Sequence, residues 1–367
     1  MLFKRFLQKS RPRIVAITVV RNEIDIIESF VRHTATMVDE HLIVDHCSHD
    51  GTGEILKSLR AEGIPLTLLS NNDPAYNQPV VTNVLMRKAF DEHGADWVLP
   101  LDGDEFIQPP EGADLHESLT DPPKHRGCLT YAFRTYHPHP ADDHRELNAA
   151  RRIGHHFVSE TGEYHKILVH RSVAKHEELH IRPGNHHLNI GDFLIPPVVL
   201  PSFELAHFPV RSLGQYIRKI TMGELGKDAF GKKRKGLGTQ KTAPFEQLKH
   251  NAEHFFRHAL TPDRELALGP VDYRGGELRY TAPEDEIADT IQGVLTMAHD
   301  IAIQLGQLRD KTREKGVNPL MDTSTVKLEP VTGQPPMRPA AFETISRRSA
   351  DIPSPNPVEK EEVFLSK

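Results

Sequence analysis

Three carboxylates crowd the end of a short apolar run in WVLPLDGDEF, residues 97–106: Asp102, Asp104 and Glu105. Like charges this close repel, and each is costly to strip of water. Such a cluster makes sense where an opposing charge arrives: a divalent metal, a basic side chain, or otherwise only water. Mg2+ and Mn2+ prefer oxygen ligands and commonly take one or two from protein, with phosphates and water completing the shell. An Asp-x-Asp at a strand end meets that need. One carboxylate can bind the ion, while the other reaches it through water or binds a ribose hydroxyl.

The elements that must position these acids can be read along the first hundred residues. RIVAITVV (Arg13–Val20) is a β-branched run and predicts a buried strand. Apolar residues at Ile24, Ile27, Phe30, Val31 and Val38 follow at near-helical spacing, with Asn22 as the expected N-cap. HLIVD (His41–Asp45) predicts a second strand, and SHDGTG a turn. Ile55, Leu56 and Leu59 mark one face of a helix. PLTLLS (Pro65–Ser70) is a third strand, Val80–His93 a third helix, and DWVLPL a fourth strand ending at Asp102. The order βαβαβαβ implies an α/β fold, a Rossmann-like and mostly parallel sheet with helices on both faces.

In such sheets ligands bind beyond the carboxyl ends of the strands. All four strands deliver polar groups there: Arg21, Asn22 and Glu23, then Asp45 and Asp50, then Asp73, then Asp102 and Asp104. No GxGxxG follows the first strand and no GxxxxGK[ST] occurs, so the dinucleotide fingerprint and the P-loop are both absent. A nucleotide would be held through base, ribose and metal-bound phosphates. Phosphatases with an aspartyl-phosphate intermediate also carry a strand-end DxD, but after the first strand and close to Thr or Ser. Here Glu105-Phe106 follows the fourth strand, which argues against that reading.

From about Gly127 the pattern is less regular. CLTYAFRTYH and EYHKILVHRSV predict strands, and HIRPGNHHLNIGDF carries turn signals at Pro183-Gly184 and Gly191. Ser212 with Gln215 three residues on is a capping-box pattern that opens a helix. KDAFGKKRKGLGTQK (Lys227–Lys241) predicts a mobile basic loop whose lysines could close over a diphosphate or simply stay solvated. A last amphipathic helix is expected over 283–309. Expected units are 1–12, a basic N-terminal segment; 13–260, the main domain, split at 126/127 into a nucleotide-sugar half and an acceptor half; 261–316, a helical extension; and 317–367, a mostly disordered tail rich in proline, serine and charge.

Composition narrows the partners. A formal charge of −6 and 38% hydrophobic residues, with a mean hydropathy of −0.47, suit a soluble protein and do not predict a nucleic-acid binder. Two cysteines, Cys47 and Cys128, imply no disulfide framework, and a cytoplasmic location is the simpler expectation. No apolar run reaches the roughly 18 residues of a membrane span. The basic start, MLFKRFLQKSRPR, is either a frayed, solvated terminus or a segment that could touch an anionic membrane surface from the cytoplasmic side. Histidine is abundant, with 23 residues, but the pairs His155-His156 and His186-His187 have no cysteine partners or HExxH pattern to make a zinc site.

Three separated pieces carry a resemblance: VVRNEIDIIESFVRHT, IVDHCSHDGTGEIL and WVLPLDGDEF, joined weakly by YHKILVHRSV and well by HFPVRSLGQYIRKITMG. The chain resembles GT-A glycosyltransferases of the family 2-like group, which overlaps the family 92-like group, over about Arg13–Gly226. The resemblance implies a metal-dependent transfer from a nucleotide-diphosphate sugar to a glycan, lipid-linked or surface-polysaccharide acceptor. It implies that Asp45 binds base or ribose beside Arg21, Asn22 and Glu23. Asp102 would contact ribose or metal water, Asp104 would be the main ligand for Mn2+ or Mg2+, and His207 would complete the site. Arg211 and Lys219 match basic positions downstream. Asp50 belongs to the substrate-binding set, and Asp104 and Glu105 are the catalytic candidates. Glu160, Glu163, His165 and His186 are open alternatives for the acceptor base. Two other classes stay in play: a nucleotidyltransferase, although the Gly-rich stretch and lysine it typically carries after the first strand are absent, and a non-catalytic domain that binds sugar or a partner.

Overall fold

The apolar runs of the first hundred residues become four parallel strands, β1 (Ile14–Val20), β2 (Glu40–Asp45), β3 (Leu66–Ser70) and β4 (Trp97–Pro100), in the order β3-β2-β1-β4. They are connected by α1 (Ile27–Thr34), α2 (Thr52–Ala61) and α3 (Gln78–Asp91). Every residue of β1 is buried, as a strand covered on both faces must be. Its alternate residues divide two cores. Ile14 and Ala16 join Phe30 and Val31 of α1 and Leu56 and Leu59 of α2, while Val15, Ile17 and Val19 join Leu85, Met86 and Phe90 of α3. The expected α/β class, with helices on both faces of a Rossmann-like half, is therefore what the chain adopts.

This computed structural model describes residues 11–72, 78–124, 126–160, 165–229, 239–281, part of 291–298, and 326–332. All of them lie within the unit Met1–Gln334. The basic segment 1–12 is described only at its last two residues. Of the helix expected over 283–309, only residues 291, 293–295 and 298 are described, and these are helical; most of the basic loop 227–241 lies outside the described residues.

Beyond β4 the sheet turns mixed. After β5 (Glu105–Gln108) and α4 (Leu115–Thr120) come β6 (Cys128–Thr135), α5 (Ala149–Arg152), β7 (His155–Phe157) and β8 (His165–His170). Then β9 (Leu179–Ile181), β10 (Leu188–Ile190) and β11 (Phe193–Leu194) form a small antiparallel sheet, followed by β12 (Val198–His207) and α6 (Leu213–Ala229). The main sheet continues from β4 through an antiparallel β8 to β6, β12 and β5. After α7 (Thr239–His250) and α8 (Ala252–His258), β13 (Leu266–Leu268) pairs with β7 as a separate two-stranded sheet.

Several local expectations change. α1 starts at Ile27 rather than at Asn22, which sits at φ 56, a left-handed turn that asparagine tolerates. The fourth strand stops at Pro100, two residues before Asp102, and the missed β5 begins at Glu105. The turn between them brings Gly103 so close to β1 that a Cβ would lie 3.0 Å from the Val20 side chain. Residues 261–281 are β13 and an irregular strap, not helix. Fully buried Glu28 pins that strap by accepting the backbone N–H groups of Arg279, Tyr280 and Thr281 at 2.6–2.8 Å. Within the stretch expected to be disordered, β14 (Glu329–Pro330) adds a strand to the edge of β3, and Arg60 Nη1 donates to the Val331 carbonyl at 2.8 Å. The Ser212–Gln215 cap forms: Gln215 N–H donates to Ser212 Oγ, and Gln215 Oε1 accepts from Arg211 N–H, both at 3.1 Å.

Candidate active site

A cleft of about 620 Å3 opens at the carboxyl ends of β1 and β4, a size suited to a small-molecule ligand. Arg21, Asn22, Glu23, Asp102, Asp104 and Glu105 line it at the strand ends, with His207 and Lys219 beside Asp104. Strand register places His207. β5 and β12 pair antiparallel with Glu105 opposite His207, and Phe208 N–H donates to the Asp104 carbonyl at 2.9 Å. The turn of α6 that begins after Ser212 puts Lys219 on the same side as Gln215 and Tyr216, which also line the cleft.

Asp104 is 3% exposed and faces three basic groups. Lys219 Nζ reaches its Oδ2 at 2.5 Å, Arg211 Nη1 lies 3.8 Å from Oδ2, and His207 Nε2 lies 3.8 Å from Oδ1. Burial alone would raise its pKa, but Lys219, His207 and Arg211 outweigh burial and hold the carboxyl well below its usual range. Burial opposes the charge on Lys219 too, and Asp104 and Glu23 more than restore it. Burial, partly offset by Asp104, pushes the His207 imidazole down to about 4.

Asp102 is clamped instead of paired. Gln78 Nε2 and Asn185 Nδ2 donate to its Oδ1 at 2.8 and 3.3 Å, and Lys166 Nζ reaches Oδ2 at 3.1 Å. The same ammonium lies 2.6 Å from Glu105 Oε1 and donates to the Gly184 carbonyl at 2.8 Å. Glu105 is fully buried, and its Oε2 accepts the Asp102 N–H at 2.9 Å. Burial lifts the Glu105 carboxyl to about 8. Burial also opposes the Lys166 charge, but Asp102 and Glu105 together raise its pKa. One ammonium serves two carboxylates, so only one of the two needs to be ionised.

Arg211 sits behind the cleft, not in it. Its fully buried guanidinium donates to Asp25 through Nε at 2.6 Å and Nη2 at 2.9 Å, to Glu23 through Nη2, and to the Phe208 carbonyl at 3.0 Å. Burial pulls both acids toward neutrality and raises Glu23. In Asp25 the guanidinium wins, and its pKa falls. Arg211 thus ties the loop after β1 to the start of α6. Asp50 and Asp45 also stand outside the cleft lining. Asp50 accepts from Thr52 and from Ile24 N–H at 3.1 Å, joining the loops after β1 and β2. Asp45 accepts from Ser48 N–H, and a Cβ on Gly53 would lie 2.6 Å from its Oδ2. Asn22 bridges His49 N–H and the Met222 sulfur.

Among the described residues no three His, Cys, Asp or Glu side chains converge on a metal position. Two do share one side of the cleft: Asp104, held ionised, and His207, whose lowered pKa leaves a neutral imidazole lone pair at pH 7. That pair suits an ion that takes its remaining ligands from phosphate and water. Asp102, expected as a third ligand, is committed to Gln78, Asn185 and Lys166. Among the described acceptor-base candidates, Glu160 is occupied by Thr135, whose hydroxyl donates to it at 3.0 Å, and His186 lines the cleft. Glu163 lies outside the described residues.

Sequence reasoning missed Lys166, Gln78, Asp25 and Arg264. A lysine inside the buried strand HKILVH was the available signal for Lys166, since an unpaired buried ammonium is costly. Nothing local marked the others.

No family model matches the chain, and no curated protein does. Solved structures resemble it distantly. One is a mycobacterial protein, 16% identical, covering 59% of this chain and 74% of its own, with a TM-score of 0.30. Another is a mannosyltransferase from Pyrobaculum calidifontis in complex with GDP-Man and Mn2+, 13% identical, covering 93% and 81%, with a TM-score of 0.33. Neither carries the reading that follows.

Proposed function

We propose that this chain is a GT-A-type glycosyltransferase that moves a sugar from a nucleotide-diphosphate sugar to a glycan or lipid-linked acceptor. The observation that carries the proposal is the carboxylate turn at the end of β4, facing a ligand-sized cleft with Asp104 set among Lys219, His207 and Arg211. Breaking the bond between the anomeric carbon and phosphate builds negative charge on the leaving diphosphate. Asp104 and His207 would hold Mn2+ or Mg2+, which when bound neutralises that charge. Lys219 adds a cation beside Asp104, and the capped start of α6 adds backbone N–H groups that favour an anion. Arg21, Asn22 and Glu23 form the wall next to the nucleotide.

Glu105 acts as a positioning residue in this scheme. It receives the Asp102 N–H and shares Lys166 with it, which fixes the turn. Asp45 and Asp50 shape the base pocket through the loops they tie. Among the described residues no helix is long and apolar enough to cross a membrane. A cytoplasmic enzyme touching the inner membrane face through its basic N-terminal segment fits a lipid-linked acceptor.

The test is turnover. The chain is incubated with UDP-, GDP- and dTDP-sugars plus Mn2+, and the released nucleoside diphosphate is measured. Release from one donor class, lost in Asp104→Asn, is expected. No release from any donor, with or without added glycan acceptors, would remove the proposal in favour of a binding domain.

A further inference from the structure

The cleft lining also holds a cation that has no acid beside it among the described residues. Arg264, just before β13, lines the cleft together with Phe157 at the end of β7. Its guanidinium carbon stands 3.7 Å from the centroid of the Phe157 ring, and Phe157 is itself buried. Stacking of this kind holds the planar group flat and leaves its edge donors pointing away from the ring. One of them, on Nη2, donates to the Ser159 carbonyl. By contrast, Lys166, Lys219 and Arg218 each face a carboxylate: Asp102 and Glu105, Asp104, and Asp50 at 3.9 Å. Among the described residues no carboxylate lies within 4 Å of Arg264.

We propose that Arg264, held on Phe157, is the seat for a negatively charged group on the acceptor, a phosphate or a sugar carboxylate. This rests on the donor reading above. The strand-end wall presents Glu23, Asp102 and Asp104, which repel an anion except where Lys219 and a metal receive the diphosphate. Arg264, on the side built by β7 and β13, offers an acceptor oxyanion a cleft cation with no carboxylate within 4 Å among the described residues. A stacked guanidinium suits it, because its fork matches two oxygens of a phosphate or carboxylate at once.

The experiment fills the donor site first, with saturating nucleoside diphosphate and Mn2+, and then titrates three probes by calorimetry: glucose 1-phosphate, glucuronate and glucose. The expected result is that one or both charged probes bind at least about tenfold more tightly than glucose, as a charge-assisted bidentate contact would give. The stronger of the two identifies a phosphate or a carboxylate acceptor. Arg264→Gln should abolish that advantage and leave diphosphate affinity unchanged. Arg264→Lys keeps the charge but loses the fork. It should lose part of the advantage, and it gives the same readout if the glutamine variant does not fold. Equal binding of all three probes would overturn the proposal, as would an advantage that survives both substitutions. Loss of diphosphate affinity in Arg264→Gln would also overturn it, by assigning the residue to the donor. If no diphosphate binds the wild-type protein, the donor reading falls first and takes this one with it, a result distinct from diphosphate binding without charge preference.

Discussion

Arg211 and Lys166 are both buried cations placed between two acids, yet the two clusters are built differently. Arg211 makes a bidentate contact with Asp25 and reaches Glu23, and its guanidinium keeps Asp25 ionised. Nothing in that cluster can easily replace its charge. Lys166 is a point charge shared by Asp102, which also has Gln78 and Asn185, and Glu105, which also has the Asp102 N–H. Glu105, lifted to about 8 by burial even with the ammonium beside it, takes up a proton more readily still if Lys166 is lost. The first cluster therefore holds the fold together at the cleft floor, whereas the second sets the geometry of the reacting carboxylates.

The comparison breaks or sharpens on substitution. Arg211→Met leaves Glu23 and Asp25, each only 15% exposed, without their guanidinium and should cost about 3 kcal/mol in urea unfolding, with activity lost as a consequence. Lys166→Met should cost less than half as much. Equal losses would show that the two clusters are the same kind of structure. Lys219→Met, in the cleft itself, removes the nearest cation from buried Asp104. It should cost less stability than Arg211→Met, because His207 and Arg211 still face that carboxylate. It should also weaken nucleoside diphosphate binding by about ten- to a hundredfold in calorimetry, the worth of one charge-assisted contact. Lys166→Met should show the complementary split. Turnover should fall about tenfold, with diphosphate affinity within about threefold of wild type, because a misplaced turn costs more in the transition state than in binding.

The smallest effect comes from a third buried group, away from both clusters. His33 bonds the Ile107 carbonyl through Nε2 at 2.7 Å and accepts the Arg274 N–H through Nδ1, and burial lowers its pKa to about 4. The unfolded chain, near 6.5, binds this proton more readily than the folded one. Stability therefore falls as pH drops from about 6.5 toward 4 and is retained above 6.5. Between pH 7 and 5.5 the contribution is about 1 kcal/mol. His33→Gln should flatten the pH dependence of unfolding by that amount, and an unchanged slope would show that the histidine does not titrate there.

The parallel half could be read from sequence because its signals are periodic. β1 to β4 are continuous apolar runs, and the helices between them repeat at 3.6 residues, so local pattern and buried face agree. The carboxylate turn was legible for the same reason: it ends such a run. The capping box at Ser212 was legible because its two residues are close in sequence. The other parts of the site depend on distance along the chain. His207 meets Asp104 through the pairing of β5 and β12, and Lys166 reaches Asp102 from β8, contacts separated by about a hundred or sixty residues. Asp45 and Asp50 were expected to bind substrate because they follow a strand; in the structure Asp45 Oδ1 accepts Ser48 N–H and Asp50 accepts Ile24 and Thr52 N–H, so both also serve turns. Asx turns and ligand carboxylates use the same residues.

The central claim is a donor site built on Asp104. Thermal unfolding with uridine, guanosine and thymidine diphosphates, each with and without Mn2+, on wild type and Asp104→Asn, tests it directly, since a ligand that binds only the native state must raise the midpoint. A rise with one base that depends on Mn2+ and disappears in Asp104→Asn is the predicted result. No rise with any base, or the same rise in Asp104→Asn, would contradict it.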